Sequence, residues 1–262
     1  MDAPRSLLVT VFGLYARSEG RRALPVAGLV RLLARLDVDE QAVRAAVSRL
    51  KRRDLLRSTR VGGAAAYALT PTGERVLAEG DDRIFGGVPD SPTDTWVLCV
   101  YTVPESQREK RHLLRRELTW LGFGQAAPGV WVAPSRMIEP TRNVLRRNGL
   151  IAYVSLFAST YLGETPTREA VASWWDLPSL AARYHRFIED FSEMDTDAAL
   201  STWVRAVTHW RRLPYLDPGL PGELLPDDWP GHAAWRLFGE LSDRLTVPAE
   251  KEAQRLLSGP NT

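Results

Sequence analysis

Residues 39–56, with the sequence DEQAVRAAVSRLKRRDLL, carry the densest set of side chains suited to binding a ligand. Asp39 is a good N-terminal cap, and the residues after it predict a helix that ends at about Arg53. One face of this helix is apolar: Val43, Ala46, Val47 and Leu50. The remaining surface is polar and basic: Gln41, Arg44, Ser48, Arg49 and Arg52. Guanidinium groups bind phosphate oxygens and guanine edges, so this surface predicts contact with DNA.

A β-hairpin is predicted directly after this helix. Residues 56–61 (LRSTRV) alternate between apolar and polar types, a Gly-Gly turn follows, and residues 64–69 (AAAYAL) return. The hairpin adds four candidate DNA contacts: Arg57, Arg60, Gly62 and Gly63.

The elements around the hairpin complete a known DNA-binding arrangement. Residues 6–17 and 26–36 have apolar residues at helical spacing, and Thr70-Pro71 is typical of a helix start. We therefore predict a winged helix-turn-helix in residues 1–85, with its third helix in the major groove and its wing against the neighbouring backbone or minor groove. A protein-binding winged helix is the alternative. A membrane-surface helix is disfavoured, because the apolar face is rich in alanine and valine.

Charge and cysteine content narrow the functional class. The chain has 262 residues and a net charge of +2, but residues 1–80 hold 14 Arg and Lys against 8 Asp and Glu. A basic first third on a mildly acidic body favours a nucleic-acid binder with a separate control region. The single cysteine, Cys99, excludes a disulfide framework and a Cys-rich zinc site. Residues 7–16 lack a cleavage site of signal-peptide type, so we expect a soluble, cytoplasmic protein that does not enter a membrane.

The rest of the chain predicts two further domains of an α+β protein. Residues 86–92 are rich in Gly and Pro and predict a linker. Residues 93–165 alternate strands and helices, which predicts a small ferredoxin-like α+β domain. Its elements are strands at 96–103, 129–134 and 151–157, a helix capped by Ser106 that ends near Leu121, and a helix at 141–148. Residues 170–262 predict a mainly helical domain, with helices at 179–191, 198–212 and 232–245 and an extended proline-rich segment at 213–231 that packs through Leu224, Leu225 and Trp229.

Four stretches resemble the PaaX-type family of transcriptional repressors of phenylacetate catabolism. They are RVGGAAAYALTPTGERVL at 60–77, GFGQAAPGVWVAP at 122–134, WDLPSLAARYHRFIEDF at 175–191 and DPGLPGELLPDDWPG at 217–231. The resemblance covers nearly the whole chain, and its last two stretches are the most specific. It implies a middle domain similar to the small CRISPR-associated nuclease fold. It also implies a repressor that is released from DNA by an aryl-acetyl-CoA or related acyl-CoA thioester.

An enzymatic function is disfavoured. The nuclease that the middle domain resembles carries an aspartate at the end of its first strand, whereas here residues 100–103 read VYTV. Divalent cations such as Mg²⁺ prefer carboxylate oxygens, so a metal-dependent nuclease, the alternative function, lacks its ligand. The four histidines share no metal-ligand spacing, and no nucleotide-loop or hydrolase motif is present. We expect no catalytic residue, no metal and no cofactor.

Two further expectations concern assembly and control. A single winged helix buries too little surface for tight specificity, so we expect a homodimer on a palindromic DNA operator. A CoA thioester needs cations beside an apolar pocket. Candidate effector-binding residues are Arg115, Arg116, Trp120, His209, Arg211 and Arg212. We expect them to line a cleft between the middle and C-terminal domains; the alternative is that His209 and the neighbouring arginines pair with the acidic residues of the 217–231 segment.

Overall fold

A computed structural model describes residues 2–17, 22–87, 95–193 and 198–258. The chain forms two compact units. The first comprises residues 1–86, 187–211 and 235–262, and the second comprises residues 87–186 and 212–234. The predicted division into three domains remains a prediction. Among the described residues, no helix is long and apolar enough to cross a membrane.

The first unit begins with helices and a small sheet. Its elements are α1 (Pro4–Tyr15), β1 (Leu24–Pro25), α2 (Val26–Ala34), α3 (Glu40–Arg52), β2 (Leu56–Val61), β3 (Ala64–Leu69) and α4 (Pro71–Phe85). The sheet is antiparallel with the order β1-β3-β2. Leu24 and Pro25, directly before α2, pair with Tyr67 and Ala66 of β3.

Three local signals operate as the sequence predicts. The backbone N–H of Ala42 donates to Asp39 Oδ1 at 2.8 Å, which caps α3. Gly62 and Gly63 have φ values of +55° and +80°, which a two-residue hairpin turn requires and which side chains disfavour. Thr70 Oγ1 accepts a hydrogen bond from the N–H of Gly73 at 3.0 Å and so caps α4.

The second unit is built on a four-stranded antiparallel sheet. Its elements are β4 (Trp96–Tyr101), α5 (Arg108–Trp120), β5 (Gly124–Ala127), β6 (Val130–Pro134), α6 (Ile138–Arg147), β7 (Val154–Ser159) and α7 (Thr167–Trp174). The strand order β5-β6-β4-β7 and the succession of strands and helices match the predicted ferredoxin-like domain. The predicted linker falls mostly on residues 88–92, which lie outside the described residues.

Three details of this unit differ from the sequence prediction. Strand β5 was not predicted, because GQAA is short and carries no strong strand former. Ser106 does not cap α5, since a 3₁₀ turn at Glu105–Gln107 precedes the helix. Strand β7 begins at Val154 because Ile151–Tyr153 form another 3₁₀ turn.

Both faces of this sheet are covered. On one face, sheet residues pack with α5 and α6 in a single cluster: Val97, Cys99, Trp131, Leu114, Leu118 and Leu145. On the other face, α7 and the proline-rich segment contribute to a second cluster: Trp96, Val132, Val171, Trp175, Leu220 and Leu225. Leu224 and Trp229 pack against the second cluster, so the predicted packing of residues 213–231 is confirmed.

The C-terminal part of the chain supplies helices to both units. They are α8 (Leu177–Phe191), α9 (Ala199–Trp210), α10 (Leu213–Leu216) and α11 (Gly231–Ser258). Two predictions are wrong here. Residues 213–216 are helical rather than extended, and the last helix continues beyond Leu245 through Pro248 to Ser258. Within the first unit, α9 packs on α1, where the hydroxyl of Thr208 donates to that of Thr10 at 2.8 Å.

Candidate nucleic-acid interface

Helix α3 presents a buried apolar face and an exposed basic face. The four predicted core residues have exposed fractions of at most 2%: Val43, Ala46, Val47 and Leu50. The five predicted contact residues are all exposed: Gln41, Arg44, Ser48, Arg49 and Arg52. Helical periodicity thus separates the two sets as predicted, and packing against α1 and α2 orients the basic set outward.

Arg44 differs from the other arginines of this face. Its Nε donates to Glu40 Oε1 at 2.8 Å, one helical turn earlier. The hydrogen bond to Glu40 raises the pKa of the Arg44 guanidinium. In the part of the chain that the structure describes, the side chains of Arg49 and Arg52 form no ion pair or hydrogen bond. The Arg49 and Arg52 guanidinium groups are therefore available to an external ligand, whereas Arg44 is held along the helix.

The β2–β3 hairpin stands beside the C-terminal end of α3. Lys51 Nζ donates to Ser58 Oγ at 2.8 Å and so joins the helix to the hairpin. Residues two apart share a face of a strand, so Arg60 lies on the same face of β2 as Ser58, and Arg57 lies on the opposite face. Arg60 Nη1 donates to the carbonyl of Gly63 at 3.0 Å, which holds it at the turn.

The contact between α3 and the hairpin adds Lys51 to the predicted DNA-binding residues. It also divides the predicted residues of the hairpin between its two faces. Lys51 was not among the predicted contacts, although its position in the last turn of α3 could have suggested it. Arg60 and the Gly62–Gly63 turn lie on the hairpin beside α3, whereas Arg57 projects from its other face. The surface formed by α3 and the hairpin, called here the α3–hairpin surface, carries these exposed cations: Arg44, Arg49, Lys51, Arg52, Arg53, Arg57 and Arg60. Such a concentration of cations attracts polyanions.

The predicted effector residues of the second unit lie on α5. Arg115 and Arg116 are exposed, and Arg116 Nη2 lies 3.0 Å from Glu117 Oε1. Trp120 is 49% exposed and stacks on Tyr215, with ring centroids 4.2 Å apart and an interplanar angle of 23°. Cationic and aromatic groups therefore occur together on this helix.

The predicted effector residues of α9 have partners at the N-terminus. His209 Nε2 lies 2.7 Å from Asp2 Oδ1, and its Nδ1 lies 3.7 Å from Asp190 Oδ2. Arg211 Nη2 donates to Ser6 Oγ at 3.0 Å. Arg212, just beyond α9, is exposed. The contacts of His209 and Arg211 join α9 to the start of the chain.

The second unit has no carboxylate at the end of its first strand, β4. Strand β4 ends at Tyr101, and Thr102 and Val103 follow it. Among the described residues, no group of three or more His, Cys, Asp and Glu side chains could hold a metal ion. Burial raises the pKa of the Cys99 thiol to about 12, so this thiol is not a nucleophile at neutral pH.

Three family models match consecutive parts of the chain. "PaaX-like protein" matches residues 3–73, "PaaX protein central Cas2-like domain" matches residues 89–171, and "PaaX-like protein C-terminal domain" matches residues 175–255. The chain is 26% identical over 257 residues to the transcriptional repressor PaaX of Escherichia coli (strain K12), covering 91% of this chain and 80% of that protein. It is also similar in fold to an uncharacterized Mycobacterium tuberculosis protein, Rv0674, with a TM-score of 0.66 and 21% identity, over 97% of this chain and 99% of the other.

Proposed function

The chain belongs to the PaaX family, and from this membership we propose that it is a transcriptional repressor that binds double-stranded DNA through the α3–hairpin surface. The observation that carries the proposal is the exposed basic face of α3, on which Arg49 and Arg52 have no partner among the described residues. We assign residues 1–85 as a winged helix-turn-helix on the same grounds. A repressor acts where the DNA is, so we place the protein in the cytoplasm.

The proposed contacts divide between base reading and phosphate binding. With α3 in the major groove, four of its exposed residues are proposed to face base edges: Gln41, Arg44, Ser48 and Arg49. Arg52 and Lys51, near its C-terminal end, are proposed to bind the phosphate backbone together with Arg60 and the Gly62–Gly63 turn. Arg57 lies on the opposite face of the hairpin from Arg60 and is assigned a peripheral phosphate contact.

We further propose that the protein binds a palindromic operator as a homodimer. One α3 helix contacts only a few base pairs, and two half-sites multiply the discrimination between sequences.

The proposed effector is an aryl-acetyl-CoA or related acyl-CoA thioester, which combines phosphates with an apolar end. Arg115 and Arg116, beside the stacked Trp120 and Tyr215, suit these requirements best. His209 and Arg211 bind Asp2 and Ser6.

The test is a comparison of two triple variants with equal loss of charge. An operator is first selected from random duplex DNA with the full-length protein, and affinity is then measured by fluorescence anisotropy. In the first variant, Arg44, Arg49 and Arg52 are changed to alanine. In the control, the exposed residues Arg142, Arg146 and Arg147 of α6 are changed to alanine. We expect an affinity loss of at least about 100-fold in the first variant, given about 1–3 kcal/mol for each base-reading arginine.

The outcomes separate specific contact from general charge. The α6 control should stay within about threefold of the wild type, since it lowers the net charge equally but leaves the α3–hairpin surface intact. If the α3 variant kept operator affinity within twofold of the wild type, the assigned interface would be wrong. Circular dichroism of both variants checks that the fold is retained.

A further inference from the structure

The first unit contains a cleft outside the α3–hairpin surface. Its volume is about 390 Å³, and it lies between the C-terminal end of α2, the N-terminal end of α9 and one face of α11. Arg35 follows the last residue of α2, and Ala199 begins α9. Helix α11 contributes Lys251, Glu252 and Arg255, together with the apolar Leu256.

The cleft has an excess of positive charge. Arg35, Lys251 and Arg255 carry three positive charges against the single carboxylate of Glu252, whose Oε1 lies 3.5 Å from Arg35 Nε. Across the described ranges of the chain, the side chains of Lys251 and Arg255 form no ion pair or hydrogen bond. These two residues are four apart on α11, and like charges at that spacing destabilise a helix. An anion between them would relieve this repulsion.

The end of α9 adds to the same positive potential. Ala198, its N-cap residue, makes no side-chain cap hydrogen bond, and Ala199 lines the cleft. The first N–H groups of a helix lack partners within the helix, and the helix dipole places partial positive charge at this end. The N-terminus of α9 therefore supports anion binding by the three cationic side chains.

We propose that this cleft binds the phosphate groups of a small phosphorylated molecule of the diphosphate class. A guanidinium binds phosphate oxygens through paired N–H donors and an ammonium binds them as a point charge, so Arg35, Arg255 and Lys251 suit two adjacent phosphates. The volume leaves room for part of an attached group beside Leu256. The excess of cations over carboxylates selects a polyanion over a neutral ligand.

The position of Arg35 gives the cleft a regulatory role, an inference that rests on the proposed DNA binding. Residues 35–38 form the turn between α2 and α3, and Asp39 caps α3 directly after it. Arg205 of α9 holds this turn by donating to the carbonyl of Leu36 at 3.1 Å. A ligand that draws Arg35 toward Lys251 and Arg255 acts on this turn and therefore on the start of α3. Ligand binding in the cleft is thus coupled to the affinity of the protein for DNA.

Calorimetric titration of the full-length protein with inorganic pyrophosphate tests the site without DNA. The cleft variant is Lys251→Ala/Arg255→Ala. The matched control is Arg236→Ala/Arg244→Ala, which removes two exposed arginines from the same helix outside the cleft. We expect the wild type and the control to bind pyrophosphate alike, and the cleft variant to bind at least about tenfold more weakly. Absence of binding to the wild type, or equal binding by all three proteins, overturns the site.

A second measurement separates this proposal from the proposed function. Operator affinity is compared with and without saturating pyrophosphate. If pyrophosphate changes the operator affinity of the wild type but not that of the cleft variant, the result supports coupling between the cleft and DNA binding. If the wild type binds pyrophosphate but no DNA, the anion site is supported and the proposed repressor function is rejected. A third result would overturn the small-molecule site: the wild type binds no pyrophosphate, and the cleft variant binds DNA more weakly and with a smaller salt dependence. The cleft would then be a contact with the DNA backbone.

Discussion

Arg205 Nη2 donates a hydrogen bond to the carbonyl oxygen of Leu36 at 3.1 Å, although 169 residues separate the two in the chain. The same nitrogen lies 2.9 Å from Asp37 Oδ2, and Nη1 lies 3.3 Å from Asp2 Oδ2. Asp37 has a φ of +60°, which is unfavourable for a residue with a side chain unless its surroundings hold it. Helix α9 therefore supports the turn that sets the start of α3.

Replacing Arg205 with leucine is expected to destabilise the protein and weaken operator binding. The change leaves the Leu36 carbonyl and the Asp2 carboxylate without this donor, at a cost of about 2 kcal/mol in the free energy of unfolding. Urea denaturation measures the loss. Arg205→Lys, which keeps one charged donor, should lie between the leucine variant and the wild type. Equal unfolding midpoints for leucine variant and wild type would show that the Arg205 contacts contribute nothing.

Gly28→Ala and Gly239→Ala should change stability in opposite directions. Both glycines lie inside helices, where alanine is normally favoured by about 1 kcal/mol. A Cβ on Gly28 would lie 2.8 Å from Leu257 Cα and 2.9 Å from the Leu257 carbonyl oxygen, whereas a Cβ on Gly239 meets nothing within 4 Å. We expect Gly28→Ala to lose about 1–3 kcal/mol through overpacking between α2 and α11. Thermal unfolding measures both, and a stabilised Gly28→Ala would contradict the close approach.

Single arginine variants should separate base reading from phosphate binding. Arg49→Ala is expected to weaken operator binding by about 1–3 kcal/mol and to relax specificity at one base pair. Arg52→Ala is expected to weaken all DNA sequences alike and to reduce the salt dependence by about 0.9 in logarithmic slope. Anisotropy on singly substituted operators at several salt concentrations distinguishes the two patterns. Identical patterns for Arg49 and Arg52 would reject this division.

The stability of the protein should depend on the ionisation of Cys99 at high pH. Burial raises the pKa of this thiol to about 12, above its value in the unfolded chain. The unfolded state therefore releases the proton first as the pH rises. The contribution of the protonated Cys99 thiol to stability is fully present below the pKa that this thiol has in the unfolded chain. It is lost progressively as the pH rises toward 12. Urea titrations from pH 8 to pH 11 should show a steeper decline for the wild type than for Cys99→Ala; parallel curves would contradict this linkage.

Effector binding should be sensitive to the cations of α5. Arg115→Ala/Arg116→Ala is expected to weaken the binding of phenylacetyl-CoA by at least about tenfold, because each guanidinium can make a charge-assisted bond to phosphate. Arg142→Ala/Arg146→Ala on α6 removes the same charge and should bind normally. Calorimetry measures both. Binding that is unchanged in the α5 variant would exclude Arg115 and Arg116 as phosphate contacts.

The sequence alone determined the elements whose causes lie within a few residues. The apolar period of α3 separated Val47 and Leu50 from Arg49 and Arg52, because side chains three and four apart share a helix face. Asp39 caps the helix through the N–H three residues later, and the two glycines of the hairpin adopt positive φ. The predicted DNA-binding residues of α3 followed from these local rules.

Only the tertiary structure decided which distant groups meet. Strand β1 forms because Leu24 pairs with Tyr67 of β3, and β5 forms because Gly124 pairs with Val132 of β6. His209 and Arg211 are typical anion-binding residues by type, yet they bind Asp2 and Ser6 because α9 packs along α1. A charged side chain has many chemically equivalent partners in the sequence, and the packing of the helices selects among them. The cleft of Arg35, Lys251 and Arg255 likewise arises from packing, since α2 and α11 meet only in the folded protein, where Arg31 contacts Leu256 across 225 positions of the chain.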